Sequence, residues 1–381
     1  MKSRATVMVE PYKVEVREFE IPKLQSDCAL IKIELSGICG TDKHAYKGES
    51  KQYAGTPHEI DAPYPYIPGH ETVGTIADIG PDAQLEFYQQ KLKVGDRVVV
   101  IPDLYCNKCY YCKQMPFSPW CEHLENHGNR AVDRWPYLTG GWSEYLYTMP
   151  NTDLFLMPEN ILPEVGALME IFVVAYAMDK VKEFYNFAGE GFAFGDCVVV
   201  IGVGALGLAH VIKSRMLGAD KIIAIDKSDF RLKMAQNFGA DVVINVNNTT
   251  LDERVEIVLS HTNRRGADVV VGASGVPSSM PEAIAMLRKV GTYVEVGSFV
   301  DTGETIIKPH QILSKNLRIV GVSDHPTFGY DAMLRMLERY KSDFPVEKMI
   351  THKYPLEEVD AAINKAMEDD VMKVAIAPWM K

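Results

Sequence analysis

The sequence predicts an α/β protein with two domains: a doubly wound parallel sheet in the second half of the chain and an irregular β-rich domain in the first. Three observations support this prediction. The chain has 381 residues, more than the roughly 250–300 at which a single core stops growing. From about Asp196 onward, short Val and Ile runs alternate with amphipathic segments, as in βαβ units. A glycine-rich turn, Gly202–Gly207, directly follows the first of these runs.

The β-rich part covers about residues 1–165. It contains many Pro and Gly residues and short β-branched runs, such as 29–33 and 96–101, whereas helical periodicity is scarce. Such runs, bounded by turn residues, are typical of short strands. We therefore expect an all-β arrangement with irregular connections in this part of the chain.

The second half is expected to hold six strands joined by helices, which is enough for a complete doubly wound sheet. The predicted strands are Val198–Ile201, Lys221–Ile225, Val242–Ile244, Val269–Val271, Tyr293–Val296 and Leu317–Val320. The helices between them include Leu206–Leu217 and Phe230–Phe238. Residues 323–381, with helices near 330–340 and 357–368, are too few for a domain of their own. We expect this segment to return to the first domain.

Composition and charge limit the classes of molecule that this protein is expected to bind. A formal net charge of -11 argues against nucleic acid, which is bound through Lys and Arg on phosphates. The N-terminus lacks the apolar run of a signal peptide, and no stretch reaches the roughly 18–20 apolar residues of a membrane span. The expected protein is cytoplasmic, binds neither membrane nor nucleic acid, and acts on a small molecule.

The glycine-rich turn reads Gly202-Val203-Gly204-Ala205-Leu206-Gly207 and matches the dinucleotide fingerprint G-x-G-x-x-G. Its glycines allow a tight turn, close approach to a pyrophosphate and close packing of helix on strand. The helix that starts at Ala205 and Leu206 would offer free N–H groups to the phosphates. Asp226 ends the second strand, where a carboxylate meets the ribose hydroxyls and disfavours a 2′-phosphate, so NAD is favoured over NADP. Arg231 lies close by and could serve a 2′-phosphate.

Four of the seven cysteines fall in one short segment, with the spacing Cys106-x2-Cys109-x2-Cys112-x8-Cys121. In a reducing compartment such a cluster indicates metal ligation rather than disulfides. Four thiolates suit a closed tetrahedral zinc site, which has no position left for a substrate. We interpret this segment as a structural zinc lobe.

Cys39 and His70 suggest a different kind of metal site from the four-cysteine lobe. Cys39 lies in a glycine-flanked turn, Ser36–His44, and His70 follows Gly69. A catalytic zinc needs three protein ligands and one open position, and these two residues offer two of the three. From spacing alone, each has an ordinary alternative: Cys39 as a turn cysteine and His70 as a hydrogen-bonded core histidine.

The order of the motifs resembles that of the zinc-containing medium-chain alcohol dehydrogenases, over essentially the whole chain. The matching segments are Gly37-Ile38-Cys39-Gly40-Thr41-Asp42, Pro68-Gly69-His70-Glu71, Gly95-Asp96-Arg97-Val98, the four-cysteine lobe and the Gly202 fingerprint. The resemblance implies a GroES-like catalytic domain built from residues 1–170 and 323–381 around a Rossmann coenzyme domain at 171–322. It also implies two zinc ions per chain, NAD, and a homodimer or homotetramer.

The same resemblance implies the site residues. The third ligand of the catalytic zinc is a cysteine in the ethanol-type enzymes and a glutamate in the sorbitol, threonine and glucose types; the matching position here is Glu170. A proline usually follows that glutamate, and this chain has Ile171 instead. Glu71 resembles an alternate ligand that exchanges with Glu170. Thr41 resembles the hydroxyl that takes the alcohol proton, and His44 the relay to solvent.

These residues predict hydride transfer between NAD and an alcohol. A Cys-His-Glu ligand set is harder than one with two thiolates and suits substrates that chelate through oxygen, so the expected substrate is a polyol or other secondary alcohol. A threonine-like amino alcohol and an aldose are the alternatives within this class. Outside the enzymes, the cysteine lobe could act as a zinc-thiolate redox sensor, but that reading leaves Cys39, His70 and Glu170 without a role.

Overall fold

The computed structural model describes residues 1–51, 59–83, 91–115, 120–182, 191–323 and 325–380. The chain divides into two compact units. Unit 1 comprises Met1–Val173 and Pro326–Lys381, and unit 2 comprises Val174–His325. Both ends of the chain therefore contribute to the first unit.

The N-terminal segment is dominated by short strands, in keeping with its β-branched runs and frequent Pro and Gly. Its strands are β1 (Lys2–Glu10), β2 (Lys13–Glu20), β3 (Ala29–Gly37), β4 (Glu71–Ile79), β5 (Arg97–Val100), β6 (Asp103–Leu104), β7 (Glu125–Asn126), β8 (Tyr145–Tyr147) and β9 (Leu154–Leu156). Its helices are α1 (Gly40–Lys47), α2 (Tyr110–Gln114), α3 (Pro163–Gly166) and α4 (Met169–Val174). On the face of β3, Ile31 and Ile33 are fully buried and pack with Val98 of β5 in one apolar cluster.

Unit 2 has the predicted alternation of strands and helices. Its strands are β10 (Cys197–Ile201), β11 (Lys221–Asp226), β12 (Val242–Asn245), β13 (Ala267–Gly272), β14 (Leu287–Glu295) and β15 (Arg318–Gly321). Its helices are α5 (Ala177–Lys182), α6 (Ala205–Met216), α7 (Asp229–Asn237), α8 (Leu251–His261), α9 (Ser279–Met286) and α10 (Pro309–Lys315).

The strands of unit 2 form one parallel sheet. Over the residues that the structure describes, its order is β12-β11-β10-β13-β14-β15, with each neighbouring pair parallel. The order runs outward in both directions from the first strand, which defines a doubly wound sheet. The predicted fold class is therefore confirmed. Strand β14 begins at Leu287, earlier than the predicted Tyr293. Leu287 already pairs with Ala267 of β13, and a register shift separates this pair from the regular pairing that starts at Val269 and Thr292.

The C-terminal segment adds strands to the sheet of unit 1. It contains α11 (Gly329–Arg339), β16 (Ile350–Tyr354), α12 (Val359–Ala366) and β17 (Lys373–Ile376). In the described part of the chain, the sheet runs β16-β17-β3-β4-β5-β9. Ala375 of β17 lies opposite Gly37 of β3, and Glu71 of β4 lies opposite Gly37 on its other side. This places β17 next to the segment that carries Cys39.

Candidate metal centres and coenzyme site

The first candidate centre lies in unit 1, at the point where β3 ends and β4 begins. Ligand atoms of Cys39, His70 and Glu71 all lie within 4.8 Å of one another. Cys39 is the N-cap of α1, and Glu71 is the first residue of β4. A thiolate at a helix N-terminus is stabilised by the helix dipole and by free N–H groups. The structure thus brings together three of the residues that the sequence analysis singled out.

The loop before β4 places His70. Gly69 has φ +92°, and a Cβ there would lie 2.5 Å from the Trp142 ring, so this turn requires glycine. The Gly69 carbonyl accepts a hydrogen bond from the backbone N–H of Gly141 at 2.7 Å, and the Trp142 N–H donates to the Pro68 carbonyl at 3.0 Å. The histidine is therefore held by the backbone on both sides of the turn.

Asp42 supports both Cys39 and His70, and the sequence analysis assigned it no role. Its Oδ2 accepts a hydrogen bond from the Cys39 backbone N–H at 2.8 Å, and its Oδ1 lies 3.9 Å from Nδ1 of His70. At 3.9 Å this second contact is an ion pair rather than a hydrogen bond, so the carboxylate acts on the imidazole through its charge. Burial raises the pKa of Asp42. Its position three residues after an N-cap, as in a capping box, is the signal that could have identified it.

The charges around the cluster fit a divalent cation. Burial alone would lower the pKa of His70, but the charges of Cys39 and Asp42 raise it well above its ordinary value. Glu71 is buried and adds a carboxylate to this group of charged side chains. A thiolate, an imidazole and a carboxylate oxygen are all ligands that zinc accepts. The donor set therefore suits zinc.

Lys373 of β17 is the second residue that the sequence analysis missed. Its Nζ donates a hydrogen bond to Oε1 of Glu71 at 2.5 Å and lies 2.5 Å from Oε2. Burial would lower the pKa of Lys373, but Glu71 and Cys39 outweigh it and raise the pKa. The partners are 302 positions apart in the chain, so no local pattern could have indicated the pair.

Glu170, the predicted third ligand, lies in the first turn of α4. It is outside the group of side chains whose ligand atoms share the 4.8 Å limit. Its charge nevertheless reaches the centre, since it contributes to the raised pKa values of both His70 and Lys373. Glu170 thus faces the same cluster of charges as Glu71.

Thr41 and His44 both lie on α1. Oγ1 of Thr41 is buried and has no hydrogen-bond partner among the residues described, so it is available to a ligand hydroxyl. Nδ1 of His44 lies 3.2 Å from Oε2 of Glu49, a carboxylate whose side chain is 57% exposed. Burial lowers the pKa of His44, which keeps the imidazole neutral at pH 7.

The second candidate centre is the cysteine lobe. The four sulfur atoms of Cys106, Cys109, Cys112 and Cys121 lie within 4.8 Å of one another, and all four residues are free thiols. Backbone N–H groups point at the sulfurs, with Cys109 N donating to the Cys106 Sγ at 3.3 Å and Cys106 N donating to the Cys121 Sγ at 3.3 Å. Hydrogen bonds from Lys108 N–H and other backbone groups lower the pKa of Cys106 to about 6. These donors favour the thiolate of Cys106, whereas burial raises the pKa values of Cys112 and Cys121. Four sulfur atoms at this spacing fit a four-thiolate zinc, whose charge would offset the cost of burying thiolates.

The fingerprint of unit 2 forms a cradle between β10 and α6. Gly202 has φ +86°, and a Cβ there would lie 2.6 Å from the Ser274 backbone; a Cβ on Gly207 would lie 1.8 Å from the Gly202 carbonyl oxygen. By contrast, a Cβ on Gly204 would meet no described atom within 4 Å. Gly204 is the N-cap of α6, with Ala205 first in the helix. The free space at Gly204 is where a pyrophosphate would approach the helix N-terminus.

Asp226 ends β11 beside this cradle. Its Oδ2 accepts a hydrogen bond from Val203 N–H at 2.8 Å, and its Oδ1 accepts one from Ser228 N–H at 2.9 Å. Each carboxylate oxygen keeps a further lone pair for a ribose hydroxyl. Arg231 lies in α7, where its backbone N–H donates to Oγ of Ser228 at 3.1 Å. The structure therefore places the predicted acidic residue against the glycine turn itself.

Comparison with known proteins identifies the family. The profile of the alcohol dehydrogenase GroES-like domain matches residues 25–159, and that of the zinc-binding dehydrogenase matches residues 205–338. A 5-exo-hydroxycamphor dehydrogenase of Pseudomonas putida is 30% identical over 375 residues, with 98% of each chain covered. The chain belongs to the zinc-binding alcohol dehydrogenase family, whose members are oxidoreductases acting on CH–OH groups with a nicotinamide coenzyme.

Other relatives agree in length and fold. A sorbitol dehydrogenase of Bacillus subtilis is 28% identical and covers 98% of this chain and 97% of its own. The alcohol dehydrogenase structure from Thermotoga maritima has a TM-score of 0.87 at 29% identity, with 99% of both chains covered. An alcohol dehydrogenase from Escherichia coli, solved with NADH, has a TM-score of 0.80 at 25% identity and 99% coverage of both chains. In the described part of this chain, no helix is both long and apolar enough to cross a membrane.

Proposed function

We propose that this protein is an NAD-linked zinc dehydrogenase that oxidises a secondary alcohol or polyol to the ketone, with Cys39, His70 and Glu170 as zinc ligands. The observation that carries the proposal is the cluster of Cys39, His70 and Glu71, whose ligand atoms lie within 4.8 Å of one another and on which the charge of Glu170 also acts. Thr41, on the helix that Cys39 caps, has a buried hydroxyl with no partner among the described residues. When bound, zinc supplies a Lewis acid that lowers the pKa of the alcohol, and NAD supplies the hydride acceptor.

The protein's own residues then bind and move the proton. Thr41 accepts the hydrogen bond of the substrate hydroxyl, since its buried Oγ1 has no partner among the described side chains. His44 receives the proton on the same helix, because burial keeps its imidazole neutral. Glu49, at 3.2 Å from His44 and 57% exposed, leads the proton on to solvent. Asp42 and Gly69 hold the ligands in place.

NAD is the proposed coenzyme rather than NADP. Asp226 carries a negative charge at the edge of the glycine cradle, where a 2′-phosphate would be repelled. Its two backbone hydrogen bonds hold it in this position without using all its lone pairs. Arg231, whose backbone N–H donates to Oγ of Ser228 at the start of α7, is the residue whose guanidinium could serve a phosphate.

The proposed substrate class follows from the ligand set and from the relatives. Two of the relatives act, by their names, on 5-exo-hydroxycamphor and on sorbitol; the first is a bulky cyclic secondary alcohol and the second an open-chain polyol. Both are oxidised at a CH–OH carbon. A Cys-His-Glu set, with one thiolate, favours oxygen-rich substrates.

The test combines a substrate screen with one substitution. NADH formation is followed with polyols, cyclic secondary alcohols, amino alcohols and aldoses, and we expect the first two groups to be turned over. Glu170→Ala should lower kcat/KM by about 10² or more, since it removes an inner ligand, while the far-ultraviolet circular dichroism stays unchanged. Glu159→Ala, an exposed carboxylate before α3, is the matched control and should behave as wild type. Full activity of Glu170→Ala would show that another residue is the third ligand.

We also propose that the protein forms a homodimer through β15. This strand is the edge of the sheet in unit 2, and an open edge can pair with a second copy. Apolar residues nearby are exposed: Ile306 at 89%, Leu313 at 81% and Ile319 at 39%. Light scattering after gel filtration should give a dimer or tetramer for wild type and a smaller species for Leu313→Asp. An unchanged assembly in this variant would place the interface elsewhere.

A further inference from the structure

The buried ion pair between Lys373 and Glu71 has no role in the steps given so far. The side chain of Lys373 is 6% exposed and that of Glu71 is 0% exposed. Burying an ion pair of this kind carries a large desolvation cost, and well-packed apolar residues of similar volume often stabilise a protein at least as much. Stability is therefore a poor explanation for the pair, and its position beside Cys39 and His70 suggests another.

The surrounding backbone leaves room for this pair at Gly37. A Cβ on Gly37 would lie 1.9 Å from Oε2 of Glu71 and 3.0 Å from Cε of Lys373. Any other residue at position 37 would displace the carboxylate or the lysine. Since Gly37 lies between β4 and β17 in the sheet, the glycine allows the two side chains to meet across β3.

The strand that carries Lys373 is tied to the metal-binding loop. The Val374 carbonyl accepts a hydrogen bond from Ile38 N–H at 2.9 Å, and Ile38 directly precedes Cys39. The Lys373 carbonyl accepts a hydrogen bond from Oγ1 of Thr351 at 3.1 Å. The ammonium group is therefore held at a fixed place relative to Cys39, on a strand rather than on a loop.

Lys373 holds both oxygens of Glu71. Its Nζ donates a hydrogen bond to Oε1 at 2.5 Å and forms an ion pair with Oε2 at 2.5 Å. One oxygen of Glu71 also lies within 4.8 Å of the ligand atoms of Cys39 and His70. Glu71 is thus within reach of the metal and is attached to a cation at the same time.

We propose that Lys373 is a positioning residue that limits the reach of Glu71. By holding Oε1 from the side of β17, it keeps the carboxylate at the edge of the centre, so that the open ligand position remains available to the alcohol. Without the ammonium group, Glu71 is the nearest uncompensated anion and ligates the metal permanently. This inference rests on the proposed function for the alcohol, but its first test, the response of bound Co²⁺ to imidazole, uses neither alcohol nor NAD.

The test compares the full-length wild type, Lys373→Met, Glu71→Gln and the double variant after replacement of zinc by Co²⁺. Visible absorption bands of Co²⁺ report its coordination, and added imidazole is the probe for an open position. A four-thiolate lobe has no open position, so any response to imidazole belongs to the centre at Cys39. We expect wild type and Glu71→Gln to respond, Lys373→Met to bind Co²⁺ without responding, and the double variant to respond again.

Turnover and chelation give a second readout. Lys373→Met should lose about 10- to 100-fold in kcat, as is usual when a residue that orients metal ligands is removed, and the double variant should regain at least tenfold of it. Lys373→Met should also release its metal to a chelator more slowly than wild type, because Glu71 adds a ligand. A variant that instead loses Co²⁺, or a double variant that stays unresponsive to imidazole, would overturn the proposal.

Two further variants keep the test valid. If Lys373→Met does not fold, Lys373→Gln replaces it: this variant removes the ammonium charge but keeps a hydrogen-bond donor, and it should respond to imidazole less than wild type, whereas an unchanged response would overturn the proposal. Lys353→Met is the matched control: Lys353 lies on the neighbouring strand β16 and pairs with Glu164, and its replacement should leave the imidazole response unchanged. Absence of alcohol-dependent NADH formation in wild type would defeat the proposed function alone, since the imidazole response is read without substrate.

Discussion

The two candidate metal centres of unit 1 share one local feature, a cysteine at the N-cap of a helix, but differ in where their other residues come from. Cys39 is the N-cap of α1 and Cys109 is the N-cap of α2, so both place a sulfur at a helix N-terminus. The lobe then takes all its other ligands from Cys106–Cys121. The centre at Cys39 instead draws on residues as distant as Lys373.

The difference lies in what surrounds the ligands. In the lobe, backbone N–H groups point at the sulfurs, and four thiolates fill every position of a tetrahedral zinc. Around Cys39, the neighbours are buried charged groups, Asp42 and Lys373, which hold ligands without ligating. The lobe suits only the holding of a metal ion. The centre at Cys39 suits a metal ion with one ligand position left open, because its charged neighbours can position the ligands without occupying that position.

The largest expected effect comes from breaking the lobe. Cys112→Ser removes one of four thiolates from a segment with few apolar residues to fold around, and structural zinc commonly contributes about 10 kcal/mol or more to the folding of such segments. We expect the variant to hold one zinc per chain instead of two and to unfold at a markedly lower temperature. Metal analysis and calorimetry measure both. Two zinc ions retained in the variant would contradict the assignment of the lobe.

A smaller effect is expected at the other centre from Asp42→Asn. The change keeps the size of the side chain and removes the charge that faces His70, while the amide oxygen can still accept from Cys39 N–H. Loss of such an outer partner typically costs 10- to 100-fold in metal affinity. Competition with a chelator should show faster loss of one zinc per chain and normal retention of the other. Equal release of both ions would mean that Asp42 serves only to cap α1.

The sequence predicts the features that depend on neighbouring residues and misses those that depend on contacts between distant segments. The lobe ligands, the glycine turn and the strands of unit 2 are local patterns, because each arises from spacing within about 20 residues. Lys373 and Gly37 become partners of Glu71 only through the pairing of β17, β3 and β4, and no periodicity records that register. Strand β14 shows the same limit on a smaller scale. Its early start lies beyond a register shift, where Val290 has φ +57° and the alternation of side chains is interrupted.

Asp42 is part of a motif that the sequence analysis recognised, but it was assigned no role. It belongs to the same short string as Cys39 and Thr41, but a carboxylate three residues into a helix ordinarily acts as a cap. Only the distance of 3.9 Å to His70 shows its second contact. A local motif can therefore identify a residue and leave its most important partner, which comes from another segment, unassigned.

The smallest expected effect concerns the pair of His44 and Glu49, for which the lobe has no counterpart. Glu49 raises the pKa of His44, although burial has the larger, opposite effect. Glu49→Gln removes the raising contribution, so the pKa of His44 falls further, and the neutral imidazole persists to lower pH. If His44 accepts the proton, the acid limb of the kcat/KM profile should move to lower pH, by less than one unit, since exposed pairs contribute at most about 1 kcal/mol. Glu159→Gln, exposed and distant in sequence, should leave the profile unchanged. An acid limb that stays in place in Glu49→Gln would mean that His44 does not carry the proton out of the site.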